Sequence, residues 1–411
     1  MKILMRSFAV ALLASAALTA APAMAKDEKK VEAPKAPKLS KPVGVALSEA
    51  QKMQQAGDNA GSLAKVAEAE AFPTPTLDDT YMTQAVKLNA AIALKDNALI
   101  EATLTKMIAT GKVPAENLPK FYRTIGSLAL NRKDYNTATI AFEQLVKLNP
   151  ADGESQVALA ELYNAQKQST KAVSTLTAAI AAQKAAGAVV PENWYRRALA
   201  LAYDGKLATQ IQPAALALVQ AYPNAVNWRD ALVITRDSFK LDDQGALDFM
   251  RLQAATGSLN GERDFVEYAD TALGKGYPGE AKFAIDEGVR RSMLNPSKPL
   301  VAELKKSADA KVATDKASLP GLEKEIKGNP KMALVTGDAY YGYADYAKAA
   351  ALYQQAVGNP AVDQATANLR LGMALARAGD KPGATAALSA VKGGPREALA
   401  QYWLVWLAQK A

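Results

Sequence analysis

An offset of 34 residues recurs along the chain and limits what it can fold into more than any other feature. Gly126 is answered by Ala160 and Ala138 by Ala172 at that distance, as are Phe142 by Leu176 and Leu145 by Ala179. Asn193-Trp194 returns as Asn227-Trp228 at the same offset, and near the C-terminus the spacing becomes 35. There Gly337 maps to Gly372, Ala349 to Ala384, Tyr353 to Leu388 and Ala356 to Val391. A unit this short cannot bury its own apolar stripe, so neighbouring units must stack.

Inside one unit the spacing is helical. Tyr122, Ile125, Gly126 and Ala129 fall on one face of a helix. Asn131 to Asp134 form a polar break. Tyr135, Ala138, Phe142 and Leu145 then line a second helix, which Asn149-Pro150 ends because Pro cannot continue it. The same Asn-Pro stop returns at Asn295-Pro296, Asn329-Pro330 and Asn359-Pro360. The predicted fold class is therefore all-α, built from antiparallel helix hairpins. Gly126 and Ala138 are expected where the two helices of a hairpin approach most closely, and the large side chains are expected to fill the space toward the next hairpin.

Residues 119–184 and 330–392 resemble tetratricopeptide repeats. The markers are Tyr122, Ile125-Gly126, Tyr135, Ala138, Phe142 and Pro150 in one unit. A second unit has Gly337, Tyr340, Tyr346, Ala349, Tyr353 and Ala356, and a third has Leu371-Gly372, Leu375, Gly379-Asp380, Ala384 and Leu388. The resemblance implies a right-handed solenoid whose concave groove, lined by first helices, holds a peptide or partner helix. On this sequence it implies groove positions Lys120, Arg123, Ser127 and Asn131 in one unit, Glu161 and Asn164 in the next, and Asn193, Arg196 and Tyr203 in the third. Arg123, Asn164 and Arg196 are expected to grip a backbone or a carboxylate, since Arg offers a forked donor and Asn both a donor and an acceptor.

The organisation expected along the chain has five parts. Residues 1–25 read as a secretory signal: Lys2 and Arg6, an uncharged run from Ser7 to Ala20, then Ala23-Met24-Ala25 as a cleavage site. Residues 26–42 read as a disordered Lys/Pro/Ala linker. A helical-repeat array over 43–291, an irregular helical joint over 292–329 and C-terminal hairpins with a capping helix over 330–411 complete the chain. The net charge of +8 lies mostly at the N-terminus: the signal and the linker together carry +5 of it. A basic nucleic-acid-binding face on the folded part is therefore not expected.

The chain contains neither Cys nor His. Disulfides, thiolate nucleophiles, the commonest general base and the commonest metal ligand are therefore excluded, and no cofactor, metal or catalytic residue is assigned. Ser62-x-x-Lys65 and Ser389-x-x-Lys392 match a nucleophile motif without its companion motifs and are read as solvated helix faces. Asp242-Asp243 is read as a helix N-cap. Tyr341 and Tyr343 are expected to be exposed. The expected function is that of a periplasmic scaffold or adaptor with a protein or peptide partner in the envelope, no nucleic-acid partner and no membrane span in the mature chain. The alternative is an accessory protein that binds envelope polysaccharide or peptidoglycan, which coplanar exposed aromatics would favour. A third reading is an enzyme hidden in the irregular middle, which a buried carboxyl pair in a cleft would favour.

Overall fold

The computed structural model describes residues 37–410. The export signal and residues 26–36 of the expected linker therefore lie outside the described residues. Those described form twenty α-helices and no strand: the fold is an all-α array of tetratricopeptide-like hairpins. No helix among them is long and apolar enough to cross a membrane. They divide into two compact units, which part between Leu94 and Lys95.

The first unit holds α1 (Lys41–Gln55), α2 (Asn59–Glu70) and α3 (Leu77–Ala93). The expected linker gives way to helix at Lys41, and Pro42 occupies the first turn, where a missing N–H costs nothing. Val43, Leu47, Ala50, Val66 and Val86 make the core. Thr76 and Asp79 form a reciprocal capping box at the start of α3. Ser40 also donates to Asp79, through its N–H at 2.8 Å and its hydroxyl at 2.7 Å. Burial pushes the Asp79 carboxyl up, but these bonds from Ser40 and Thr76 outweigh it and hold the group below the usual carboxylate range. Ser62 is fully buried, contrary to the solvated face expected for it. Its hydroxyl accepts from Gln54 Nε2 at 2.9 Å, while Lys65 pairs with Glu49 and Glu68 instead.

The second unit opens with α4 (Asn97–Ala109) and four hairpins. These are α5 (Leu118–Asn131) with α6 (Tyr135–Leu148), α7 (Gly153–Ala165) with α8 (Ser169–Ala185), α9 (Glu192–Asp204) with α10 (Ala208–Ala221), and α11 (Ala225–Asp237) with α12 (Asp243–Thr256). A fifth hairpin pairs α13 (Gly261–Gly274) with α14 (Pro278–Arg290). The segment expected as an irregular joint contains one long helix, α15 (Pro299–Glu325), with Pro320 inside its last turns. Then come α16 (Met332–Gly342) with α17 (Tyr346–Ala356), α18 (Gln364–Ala378) with α19 (Lys381–Ser389), and finally α20 (Gly394–Gln409).

The repeat markers have physical counterparts. At Gly126, Gly337 and Gly372 an added Cβ would meet Phe142 Cε2 at 2.7 Å, Tyr353 Cε1 at 2.5 Å and Leu388 Cγ at 2.5 Å. Each partner lies sixteen positions along, at the same place in the second helix. Replacing Gly337 or Gly372 by Ala is expected to cost about 1–3 kcal/mol through overpacking, read as a lower urea midpoint, whereas Gly321→Ala, which meets nothing within 4 Å, should not show this clash. The Asn-Pro stops share one turn. Asn149, Asn295, Asn329 and Asn359 each accept, through Oδ1, from the N–H two residues on, at 2.9–3.3 Å. The turns inside hairpins pair a left-handed residue with an Asp cap: Lys133-Asp134, Ala344-Asp345 and Gly379-Asp380. Asp242 caps α12 by accepting from Gly245 N–H at 2.8 Å.

Two aromatic positions differ from the expected pattern. Phe121, not Tyr122, is the buried aromatic of α5, and Tyr135 is 37% exposed because it starts α6 next to the turn.

The C-terminal hairpins fold back on earlier ones. The expected capping helix α20 covers α18 and α19, but it also packs against α10 and α12. Tyr402 shares a hydrogen bond of 2.6 Å with Thr235 on α11 and stands edge-on to Trp228, with ring centroids 6.2 Å apart. Gln212 donates to Gln401 at 2.8 Å, and Gln409 donates to the Val219 carbonyl at 2.8 Å. One core cluster accordingly contains residues of α6 to α12 together with residues of α16 to α20.

A candidate binding face and a buried ionic core

Of the expected groove positions, Lys120, Arg123, Ser127, Asn131, Asn193, Arg196 and Tyr203 are exposed, and Glu161 and Asn164 are half-buried. Asn193 and Arg196 line one cleft of about 380 Å³, together with Arg197, Ala200, Asp230 and Ile234. Arg123 and Asn164 are not part of that cleft.

The arginines on this face already have partners in a neighbouring repeat. Arg123 Nη2 meets Asp152, the N-cap of α7, at 2.6 Å. Arg197 grips Glu161 through two bonds of 2.6 and 2.7 Å. Arg196 reaches Asn227 and Asp230 at 2.9 Å each. Arg229 holds Asp264 at 2.9 and 3.0 Å, and Arg236 meets Glu267 at 3.0 Å. These pairs make a ladder from α5 to α13 that joins first helix to first helix. Each exposed rung contributes little, about 0–1 kcal/mol, but opposite charges at every step favour one stacking register. Arg123 and Arg196 remain 49% and 43% exposed at their side chains, so a ligand can reach them only in competition with these carboxylates.

A second cluster lies where the array folds back, and none of its charged members was singled out by the sequence. Arg251 on α12 is fully buried. Its Nε and Nη2 donate to the two oxygens of Glu280 on α14 at 2.8 Å each. Its Nη1 donates to Asp248 at 3.0 Å and to Asp338 on α16 at 2.9 Å. Arg370 on α18 binds the other oxygen of Asp338 at 2.8 Å. The hydroxyls of Tyr353 and Tyr277 donate to Asp338 at 2.7 and 3.0 Å, and Tyr268 donates to Glu280 at 2.8 Å. The Arg251 guanidinium lies 4.9 Å from the centre of the Tyr341 ring. Tyr341, expected to be exposed, is buried beneath it, and Tyr343 is half-buried with its hydroxyl donating to Asp315 at 2.5 Å.

The electrostatics follow from enclosure. Burial alone pushes Asp338 up, but Arg370, Arg251 and the two tyrosine hydroxyls bring it below the usual carboxylate range. Burial lowers the Arg251 guanidinium, and Glu280 and Asp338 more than reverse that. Burial beside Glu280 and Asp338 drives the Tyr268 and Tyr353 hydroxyls well up, so both stay neutral donors. Three carboxylates in one place would suit acid–base chemistry if a substrate could reach them. Here the adjoining cavity, lined by Arg251, Tyr268, Glu280 and Tyr341, measures about 20 Å³. That is room for about one water molecule, so the cluster acts as a structural joint between six helices, α12, α13, α14, α16, α17 and α18.

No family model matches the chain, and no curated protein does. Similar solved structures include MamA from Desulfovibrio magneticus RS-1, 14% identical, with 49% of this chain and 100% of that one covered and a TM-score of 0.26. A tetratricopeptide repeat protein from Parabacteroides merdae ATCC 43184 is 12% identical over 66% of this chain and 99% of its own, with a TM-score of 0.28. The tetratricopeptide domain of P58(IPK) is 15% identical over 90% and 99%, with a TM-score of 0.25. The fold assignment rests on the chain's own hairpins, glycine contacts and turns.

Proposed function

We propose that the chain is an exported scaffold that holds a protein or peptide partner on the first-helix face of α5 to α11. The observation that carries this reading is the cleft between α9 and α11, where exposed Asn193 and Arg196 stand over an apolar floor of Leu199 and Leu218. An extended peptide would place its backbone against the Asn amide and the guanidinium, and an apolar side chain toward Ile234 and Ala200. Export and a place in the envelope are supported by the layout of residues 1–25. The polysaccharide reading has less support. Among the described residues the large exposed aromatics are Tyr135, Tyr203 and Phe283, on three different helices, and they form no stacked platform.

The ladder dictates how the test is designed. Reversing Arg123 or Arg196 would also break a stacking contact, so the variant is Asn193→Ala/Tyr203→Ala, at two exposed positions. In a crosslinking pull-down with residues 26–411, a protein partner captured by the wild type is expected to be lost or strongly depleted with the variant. Equal capture by both proteins, or recovery of glycan without protein, would refute binding on this face.

A further inference from the structure

The ionic core is one positive charge short. Around Asp248 stand Arg251 on its own helix, Glu280 on α14, Asp338 on α16, Tyr353 on α17, Arg370 on α18 and Arg396 on α20. Arg396 is 36% exposed at its side chain and lies 3.7 Å from Asp363; its Nε is buried without a hydrogen-bond partner and its charge also acts on Asp248, but it is not enclosed as the other two arginines are. Arg251 and Arg370 remain as the enclosed cations against three enclosed carboxylates.

The hydrogen bonds show which carboxylate is the odd one. Asp338 accepts three, from Arg251, Tyr277 and Tyr353, and forms an ion pair with Arg370 besides. Glu280 accepts three, from Arg251 twice and Tyr268. Asp248 accepts one, at 3.0 Å from Arg251, while Arg370 Nε stands off at 3.7 Å. Its second oxygen is buried with no partner. An ionised carboxylate with one bare buried oxygen is costly, and a neutral acid there is much less so.

We propose that the ionic core is a pH-responsive clasp, holding α16 to α20 against α12 and α14 with a proton on Asp248 and loosening when that proton leaves. Burial is the main reason the Asp248 carboxyl sits above its ordinary range; Arg370, Arg251 and, least, Arg396 oppose it, and Asp338 adds to it. The folded-state value is therefore higher than the unfolded one, about 3.9. Asp248 then contributes its full stability below that unfolded value, and the contribution is lost as pH rises through the folded value. Asp338 is the opposite case, with stability present above the unfolded value and lost on acidification.

The test is a urea-unfolding series over about pH 4 to 9 on the wild type, Asp248→Asn and Asp338→Asn, followed by tryptophan fluorescence, to which Trp194 and Trp228 contribute together with Trp403 and Trp406 on α20. Asn reproduces the shape of the protonated acid. The midpoint of Asp248→Asn is expected to gain on the wild type as pH rises and to equal or exceed it at neutral pH. Asp338→Asn is expected to lie below the wild type at neutral pH, with the gap closing on acidification. An Asp248→Asn protein that is less stable than the wild type at neutral pH, runs parallel to it throughout, or fails to fold would overturn the proposal.

Discussion

Replacing Arg251 by Met lowers the unfolding free energy by about 3–5 kcal/mol, one of the two largest effects expected in the folded chain. Met fills much of the aliphatic volume, so the loss is electrostatic. Glu280 loses two of its three hydrogen bonds, Asp338 one of its three, and Asp248 the one it has. Desolvated carboxylates left without a cation are what makes breaking a buried pair so costly. Adding Glu280→Gln removes one of the stranded charges. The double variant is expected to lose less than the sum of the two single losses, because the residues touch. Equilibrium urea unfolding of the four proteins checks both points. An Arg251→Met loss of under about 1 kcal/mol would mean that water reaches the cluster and screens it.

Trp403→Ala is expected to cost about 3–5 kcal/mol. The indole is fully buried and stands edge-on to Trp406, with ring centroids 5.2 Å apart. Its neighbour Tyr402 carries the hydrogen bond to Thr235, so α20 has one residue filling the core and the next pinned across the seam. The indole Nε1 has no hydrogen-bond partner. Trp403→Phe, which keeps an aromatic ring and removes an unsatisfied donor, is therefore expected to lose far less than the Ala variant. Thermal unfolding of the two variants side by side distinguishes them. Equal losses would show that the indole nitrogen is bonded after all.

Much of the fold could be read in the sequence because its determinants are local and repeated. Gly126, Gly337 and Gly372 stand out because the same close approach recurs in each hairpin, and the Asn-Pro pairs stand out because each builds the same turn. The fold-back was not legible. Asp248, Arg251, Asp338 and Arg370 occupy helix faces where periodicity asks for apolar residues, and Asp338 and Arg370 lie within two positions of the marker glycines. A repeat period compares a position with its own copies. It has no means of pairing Arg251 with Asp338, 87 residues away on a different hairpin.

On the binding face a usable signal did exist. Arg196 and Asp230 are 34 residues apart, Arg229 and Asp264 35, and Arg197 and Glu161 36. Opposite charges about one period apart on first helices mark rungs between repeats. Arg196 reads as a ligand contact when taken alone, and as a stacking contact when that offset is considered; Arg123 pairs with the α7 N-cap Asp152, 29 residues on, and the offset does not reveal it.

The closure of α20 onto α10 can be tested most directly by crosslinking, and a chain without cysteine is well suited to it. Cys introduced at Gln212 and Gln401, whose side chains are hydrogen-bonded at 2.8 Å, should be joined within one molecule by a short bismaleimide under native conditions. That link should disappear in urea and in Arg251→Met under mild denaturant, while the Cys pair Gln212→Cys/Lys327→Cys serves as a control. Ready modification of both cysteines with no intramolecular link in native buffer would contradict the closed arrangement and restore an open array of hairpins.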